Sequence, residues 1–329
     1  ECEMPEVGQD EVLVRVTNIG LCGSDLQLYE GTYKGPYNYP LLFGHEWSGV
    51  VQDVGANVTP FRKGDKVTGD CSRFCGECAF CEQDKNLCKH IEKFGITIDG
   101  ASSEFISRDQ KYIYHAPDDI DLALLSLSEP LAVSAHLIRK IERTMGSLKD
   151  KNILVLGAGT IGLGALMMLK YGYGAEHVDV FDICEERMSL AGKVGAGLPP
   201  SDFMKVKGGG VAYGDLYNAK YDVVIESTGN AQAFCSSLSL AKPLGVIGCV
   251  GMIPEAAIEQ KLIVLKGLHI IGSIGGTGEF PRAIEFIKSH SDVVERIVSH
   301  KIPIDQAEEA FAIARNLEVS LKVVLELES

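Results

Sequence analysis

Positive charge is scarce in this chain: 31 Lys and Arg stand against 45 Asp and Glu, a formal net charge of -14 at pH 7. No basic run offsets that balance, so nucleic acid and anionic membrane surfaces are repelled and a polyanionic partner is set aside. Internal repeats and low-complexity tracts are absent as well. A second long apolar run is missing too. The single uncharged stretch, Ile153 to Leu169, carries four glycines in its first twelve positions and falls short of the about twenty apolar residues that a membrane span needs. Disulfides are not needed in a chain of 329 residues, and four of its ten cysteines are tightly clustered, which favours metal in a reducing cytoplasm over an oxidised scaffold. No stretch resembles a targeting peptide; what precedes Glu1, a strand's length or more, is left open.

What is present is the composition of a soluble globular enzyme, 46% hydrophobic and 23% charged. The length exceeds what one core usually fills, so two domains are expected. The stretch ILVLGAGTIGLGALMMLK, Ile153 to Lys170, reads as strand, glycine turn and helix. Gly157 lets the backbone leave the strand, Gly159 lets it approach a pyrophosphate without a Cβ in the way, and Gly162 lets the helix pack closely. A second apolar run, Val178 to Phe181, ends on Asp182, where a carboxylate can accept ribose hydroxyls. Dinucleotide binding follows.

Before this stretch the texture is β-rich. Glu11 to Asn18 alternates Val12, Val14 and Val16 with Leu13, Arg15 and Thr17, a strand buried on one face. The next forty residues, rich in Gly, Pro and Tyr, read as loops and short strands, and Glu129-Pro130 opens a helix with Pro at its first position. After Lys151, strands alternate with helices: Ile153 to Leu156, Val178 to Phe181, Tyr221 to Glu226, Val246 to Val250 and His269 to Gly272. That alternation predicts a parallel, doubly wound sheet. Gly195 to Tyr217 fits it poorly and is left unassigned. A helix around Pro281 to Lys288, another over Ile304 to Asn316 and a strand over Leu321 to Leu327 are expected to return to the first domain.

Cys75, Cys78, Cys81 and Cys88 follow the spacing C-x2-C-x2-C-x6-C, close enough to surround one tetrahedral ion. Bacterial ferredoxin runs place the fourth cysteine sooner and follow it with Pro, so a closed structural zinc is preferred to an iron–sulfur cluster. A second set is looser. Cys22-Gly23-Ser24-Asp25 and Gly44-His45-Glu46 supply a thiolate, an imidazole and carboxylates at Gly-flanked turns. A lone Cys or His is usually packing, but together with Glu129 these could build a three-ligand zinc with an open fourth position.

The stretch Gly44-His45-Glu46-Trp47-Ser48-Gly49 with Gly55 and Val58 resembles the zinc signature of the medium-chain alcohol dehydrogenases. Cys22-Gly23-Ser24-Asp25, the four-cysteine lobe, the glycine turn and Asp182 fall in that family's order across essentially the whole chain. The resemblance implies a GroES-like catalytic domain, residues 1–130 and 274–329 with a structural-zinc lobe at about 71–90, and a Rossmann domain at 131–273. Zinc and nicotinamide would meet in the cleft. Glu129-Pro130-Leu131 resembles the sorbitol and threonine dehydrogenase branch, where zinc takes Cys, His and a glutamate, so Glu46 and Glu129 are both candidates for the third contact. The fourth structural cysteine comes one residue sooner than is usual, and Gln27 stands where many relatives have a proton-relay His.

The activity implied is hydride transfer from a secondary alcohol, of polyol, cyclitol or amino-alcohol type, to NAD, with two zinc ions per chain in a cytoplasmic homo-oligomer, dimer or tetramer. The metal would act as a Lewis acid on the substrate hydroxyl and the nicotinamide would take the hydride. Ser24 is a candidate proton acceptor. Carried over by resemblance are Gly157, Gly159, Ile161 and Gly162 around phosphate, Asp182 and Arg187 at the adenosine ribose, and Val250, Gly251 and Met252 beside nicotinamide. Ser273 and Ile274 are placed close by, and Lys322 at the pyrophosphate. The rivals are a zinc-free NADPH reductase of the same superfamily and a zinc-stabilised binding or structural protein without turnover.

Overall fold

The computed structural model describes residues 3–200, 203–204 and 213–327. Residues 201, 202 and 205–212 of the unassigned stretch from Gly195 to Tyr217 thus lie outside the described residues. Contacts divide the chain into two units, Glu1–Ala132 with Gly275–Ser329, and Val133–Ile274.

Along the chain, β1 (Glu11–Gly20) leads into the short helix α1 (Gly23–Tyr29), followed by β2 (Glu46–Val54), β3 (Lys66–Gly69), the two-residue strands β4 (Ser72–Arg73) and β5 (Glu92–Lys93), β6 (Phe105–Asp109) and β7 (Ile113–His115). Helices α2 (Leu122–Leu125) and α3 (Ser128–Met145) come next. An alternating series follows: β8 (Asn152–Leu156), α4 (Thr160–Met167), β9 (His177–Phe181), α5 (Glu185–Lys193), β10 (Tyr221–Glu226), α6 (Ala231–Leu240), β11 (Ala241–Cys249), α7 (Gln260–Lys266) and β12 (His269–Gly272). The last stretch holds α8 (Phe280–Ser289), α9 (Ser291–Val294), β13 (Val298–Pro303), α10 (Ala307–Arg315) and β14 (Lys322–Glu326).

In the first unit the sheet runs β13-β14-β1-β2-β3-β7, with β6 also on β1. β1 is its spine, antiparallel to β2, β6 and β14. Val12, Val14, Val16 and Ile19 face the core with Trp47, Val51, Phe311 and Leu325. Leu13 is buried too. The expected one-faced alternation fails there because a register shift against β2 falls between Leu13 and Val14, and a bulge re-aims the side chains on either side of it. Helix α3 begins at Ser128, so Pro130 sits inside the first turn rather than at its first position. The turn tolerates it, because N–H groups there have no intrahelical acceptor.

The second unit is the doubly wound parallel sheet, in the order β12-β11-β10-β8-β9. Leu154, Val155, Val224, Ile225, Val246 and Ile247 are buried, the near-continuous apolar runs that a sheet covered on both faces requires. From β8 the chain moves outward to β9, then returns to β10 on the other side, which puts the topological switch between the carboxyl ends of β8 and β10. Asn230 caps α6 by accepting from the amides of Gln232 and Ala233. The far end of α6 is capped by a buried lysine: Lys266 Nζ donates to the carbonyls of Leu238, Ser239 and Ala241 at 3.0, 2.7 and 2.8 Å. The apolar run from Ile153 resolves into β8 and the eight-residue α4. Among the described residues no helix is long and apolar enough to cross a membrane.

Candidate active site

Cys22 is the N-cap of α1, in extended backbone, and a reciprocal capping box fixes it. The Asp25 amide donates to the Cys22 side chain, and the Cys22 amide donates to Asp25 Oδ2 at 2.9 Å. The chain then returns at Gly44, whose φ of +90° only glycine adopts without strain, and delivers His45 and Glu46 at the start of β2. Gly20 stands opposite Glu46 in the β1–β2 register. A Cβ at Gly20 would lie 2.4 Å from Glu46 Oε2, so the glycine makes the room this carboxylate occupies. The ligand atoms of Cys22, His45 and Glu46 all lie within 4.8 Å of one another.

Negative charge dominates around this trio. Asp25 Oδ1 lies 3.5 Å from His45 Nδ1 and 3.4 Å from the Gly44 amide. Burial alone would keep the imidazole neutral, but Asp25 and then Cys22 outweigh it and hold its pKa well above the usual value. Lys322 Nζ, buried, donates to Glu46 Oε1 and Oε2 at 2.9 and 2.6 Å and to the Leu21 carbonyl at 2.8 Å. Burial would lower its pKa; Glu46, Cys22 and Asp25 raise it instead. Glu129 is also buried, and burial raises its carboxyl pKa, with Glu46 adding to the rise and His45 opposing it. Its side chain shares a hydrogen bond with the Cys71 thiol, which burial and then Glu129 push up to about 12. Asp25, Glu46, Glu129 and Cys22 thus face Lys322 and the His45 imidazole in a buried site, acidic groups whose charge a divalent cation would offset when bound. Thiolate, imidazole and carboxylate are the donors zinc takes, so the residues fit the metal.

Glu129 is not part of the close trio of ligand atoms; of the two glutamates, Glu46 is the one brought within ligand distance of Cys22 and His45. Ser24 is half-buried in the first turn of α1 and Gln27 is exposed on the same helix. The resemblance puts Lys322 at the pyrophosphate, but its ammonium is held inside the first unit by Glu46 and Leu21. A buried lysine with three oxygen partners has no donor left to offer elsewhere.

The second donor set is compact. The sulfurs of Cys75 and Cys81 lie 3.8 Å apart, Cys78 and Cys81 3.5 Å, Cys78 and Cys88 4.0 Å, and Cys88 and Cys75 3.5 Å. A tetrahedron with metal–sulfur bonds of about 2.3 Å has edges of about 3.8 Å, so these four free cysteines have the spacing of a single-ion cage. The amide of Lys89, with those of Cys81 and Phe80, favours the thiolate of Cys78 and draws its pKa down to about 6, against burial.

In the second unit the three glycines of the turn differ in their surroundings. A Cβ on Gly162 would meet the Gly157 carbonyl at 1.9 Å, and one on Gly157 would meet Ser227 Oγ at 2.9 Å. Gly162 therefore allows the helix to close on the turn itself. Gly159 has open space, with only Arg187 Nη1 at 3.9 Å, so it alone leaves the backbone bare toward a ligand. Asp182 Oδ2 accepts from the Ala158 amide at 2.7 Å and Oδ1 from the Cys184 amide at 2.9 Å, tying the end of β9 to the turn. Ile161 is half-buried beside Gly162 at the start of α4. Val250 and Gly251 donate to the Glu226 carbonyl at 3.0 and 3.2 Å, and Ser273 donates to the Cys249 carbonyl at 2.9 Å. Met252 and Ile274 are exposed.

Sequence reasoning left out Cys71 and Glu226. It placed Asp25 among the carboxylates of the second donor set, and the structure gives it a capping and His45-holding role instead of a place in the close trio. Glu226 closes β10, and its Oε1 accepts from the amides of Thr228 and Gly229 at 2.7 and 3.0 Å. It shapes the loop beside the switch point, a role that a strand-ending glutamate does not announce.

Comparison with known proteins joins these features. Residues 8–118 match the alcohol dehydrogenase GroES-like domain and residues 121–327 the glucose dehydrogenase C-terminus. An L-threonine 3-dehydrogenase of Anaeromyxobacter sp. (strain Fw109-5) is 30% identical over 99% of this chain and 94% of that protein. A D-arabitol-phosphate dehydrogenase of Enterococcus avium is 31% identical over 94% of this chain and 88% of that protein. A solved Sinorhizobium meliloti 1021 structure, described as a zinc-binding dehydrogenase bound to NADP, superposes with a TM-score of 0.87 at 28% identity, covering 99% of this chain and 94% of that one. With matches running from the donor trio through the glycine turn to the last strand, the chain belongs to the zinc-dependent alcohol dehydrogenase family, in its sorbitol and threonine dehydrogenase-like branch.

Proposed function

We propose that this oxidoreductase takes hydride from a secondary alcohol of polyol, cyclitol or amino-alcohol type and gives it to NAD. The observation that carries the reading is the buried trio of Cys22, His45 and Glu46 with their ligand atoms within 4.8 Å of one another. On this reading residues 1–130 and 274–329 form the catalytic domain with its structural-zinc lobe at about 71–90, residues 131–273 bind the dinucleotide, and each chain holds two zinc ions. A dimer or tetramer in the cytoplasm goes with the family reading.

A zinc ion held by Cys22, His45 and Glu46 supplies Lewis acidity toward the alcohol hydroxyl. The remaining work falls to the chain. Asp25 holds the His45 ring through its Nδ1 side, which leaves the other nitrogen to face outward as a ligand. Lys322 holds Glu46 in place by donating to both of its carboxylate oxygens. Glu129, held by the Cys71 thiol, offers a second carboxylate to the substrate hydroxyl or to water. Ser24 accepts the alcohol proton as it passes its own hydroxyl proton to solvent or a cofactor ribose hydroxyl, because the amide of Gln27 does not titrate.

Preference for NAD over NADP is supported by Asp182, whose charge would face the added phosphate, and by Ile183 next to it, which brings no base. Arg187 softens the preference, and the Sinorhizobium meliloti relative of the same fold is bound to NADP. The relatives named for threonine and arabitol phosphate support substrates with a second polar group beside the reacting carbinol. The test is reduction of NAD and of NADP across polyols, cyclitols, amino-alcohols and simple alcohols, with metal content measured on the same sample. Turnover with NAD on a substituted secondary alcohol is expected. Turnover with NADPH in metal-free protein would support the reductase, and metal without turnover would support the binding protein.

A further inference from the structure

The four-cysteine lobe does more than close on itself. Between Cys81 and Cys88, a single 3-10 turn, Lys85–Leu87, carries Asn86, whose side chain is 3% exposed. Asp84 caps this turn: its Oδ1 accepts from the Asn86 amide at 3.0 Å and from Asn86 Nδ2 at 2.9 Å. That contact orients the side-chain amide, so Nδ2 turns its other hydrogen to the Thr277 carbonyl at 3.3 Å while Oδ1 accepts from the Thr277 amide at 3.0 Å. Asn86 therefore pairs with both backbone groups of a residue 191 positions away, as a neighbouring strand would. The approach requires glycine two residues earlier. Gly275 has φ +68°, and a Cβ there would lie 2.2 Å from Asn86 Oδ1.

The same segment is gripped from its other side. Thr277 Oγ1 donates to Asp70 Oδ1 at 2.9 Å. Asp70 also accepts from the Ser72 amide at 3.0 Å and from the Tyr114 hydroxyl at 3.3 Å, and the Tyr114 ring stacks on Phe280 at 4.6 Å. A lobe needing only to enclose an ion could carry an apolar residue at position 86, since a buried amide costs free energy unless every hydrogen-bonding group is satisfied. Here each is, and Thr277 takes two of the contacts.

We infer that Asn86 is a positioning residue: through Thr277 it transmits the order of the four-cysteine lobe to the segment by which the chain re-enters the first unit, and so fixes Ser273 and Ile274, the residues immediately before it. The consequence for cofactor binding rests on the proposed function, which places those two residues beside the nicotinamide. The lobe and the segment from Gly275 belong to the same unit, and Ser273 and Ile274, which end the other, follow the segment through chain continuity.

The experiment uses the metal-loaded full-length protein and Asn86→Ala, with Asn86→Gln, which keeps an amide donor and acceptor, as partial rescue, and Asn86→Ser as the milder variant whose shorter side chain does not bridge both backbone groups of Thr277. Amide exchange of residues 273–278 is expected to rise by about tenfold in Asn86→Ala, with the lobe's metal retained, and by less in Asn86→Gln. KM for NAD should rise by about tenfold while kcat at saturating NAD changes by less than about threefold. Unchanged exchange at 273–278, or exchange that rises only together with loss of lobe metal, would overturn the proposal. If Asn86→Ala does not fold, Asn86→Ser decides: it must raise exchange at 273–278 with the lobe's metal retained. A wild-type protein that does not turn over NAD sinks the functional reading alone, since exchange still judges the clamp. Raised exchange with an unchanged KM in a wild type that does use NAD refutes the link to the cofactor.

Discussion

The two donor sets of the first unit are both tight clusters of metal-binding atoms, yet their surroundings differ. The four cysteines come from one short stretch, and backbone amides are their main polar neighbours, as where the amides of Cys75 and His90 donate to Cys88 Sγ. Cys22 and the adjacent pair His45 and Glu46 come from two segments and are ringed by titratable side chains: Asp25, Lys322 and Glu129. A set of four sulfurs fills a tetrahedral shell and leaves nothing for substrate, whereas a three-donor set ringed by charge leaves a position open and tunes it. On the proposed reading, the structural metal would sit where sequence is local and the reactive one where the fold must assemble its donors.

The largest expected effect separates the two by stability. Structural zinc contributes about 10–16 kcal/mol in small zinc domains, so Cys78→Ser should lose the lobe's metal and lower the melting temperature markedly. Cys22→Ser should abolish turnover with little change in melting. Equal thermal losses in both variants would erase the distinction.

Next in size is Lys322→Met. It strands Glu46 buried and unpaired, a cost of about 3–5 kcal/mol, measurable by urea denaturation of the metal-stripped protein. Because the folded-state pKa of Lys322 is raised, its contribution is fully present below the unfolded lysine value and is lost only as pH rises through the folded one. The destabilisation should therefore be flat from about pH 6 to 9. A loss confined to alkaline pH would show that the pair is not what holds Glu46.

Ser24→Ala should lower kcat by about 10²–10⁴-fold, the usual worth of acid–base assistance, with zinc content unchanged, and Gln27→Ala should be mild. The reverse ranking would mean that the glutamine binds substrate. The smallest effect concerns Asp25. Its replacement by Asn should weaken metal binding at the trio by about 10–100-fold in a chelator competition and leave the four-cysteine ion untouched.

Much of this was legible because it is local. The spacing of Cys75, Cys78, Cys81 and Cys88 is itself the geometry of a cage, and the five strands from Ile153 to Gly272 are runs that a two-faced parallel sheet must make apolar. The glycine turn was legible as a motif, though the reason for Gly162 proved to be the carbonyl of Gly157. What escaped depends on distant partners. Lys322 meets Glu46 across 276 positions and Asn86 meets Thr277 across 191, and nothing in a lysine near one end of the chain or an asparagine in a cysteine loop names its partner. Helix α1 escaped for the opposite reason: seven residues hold too few turns for a period to show.

The most direct test is zinc counted in freshly purified, active protein and followed during chelation. Two ions per chain are expected, one leaving together with activity while the other stays with the folded lobe. A single ion per chain in fully active protein, or both ions leaving together without loss of turnover, would contradict the account.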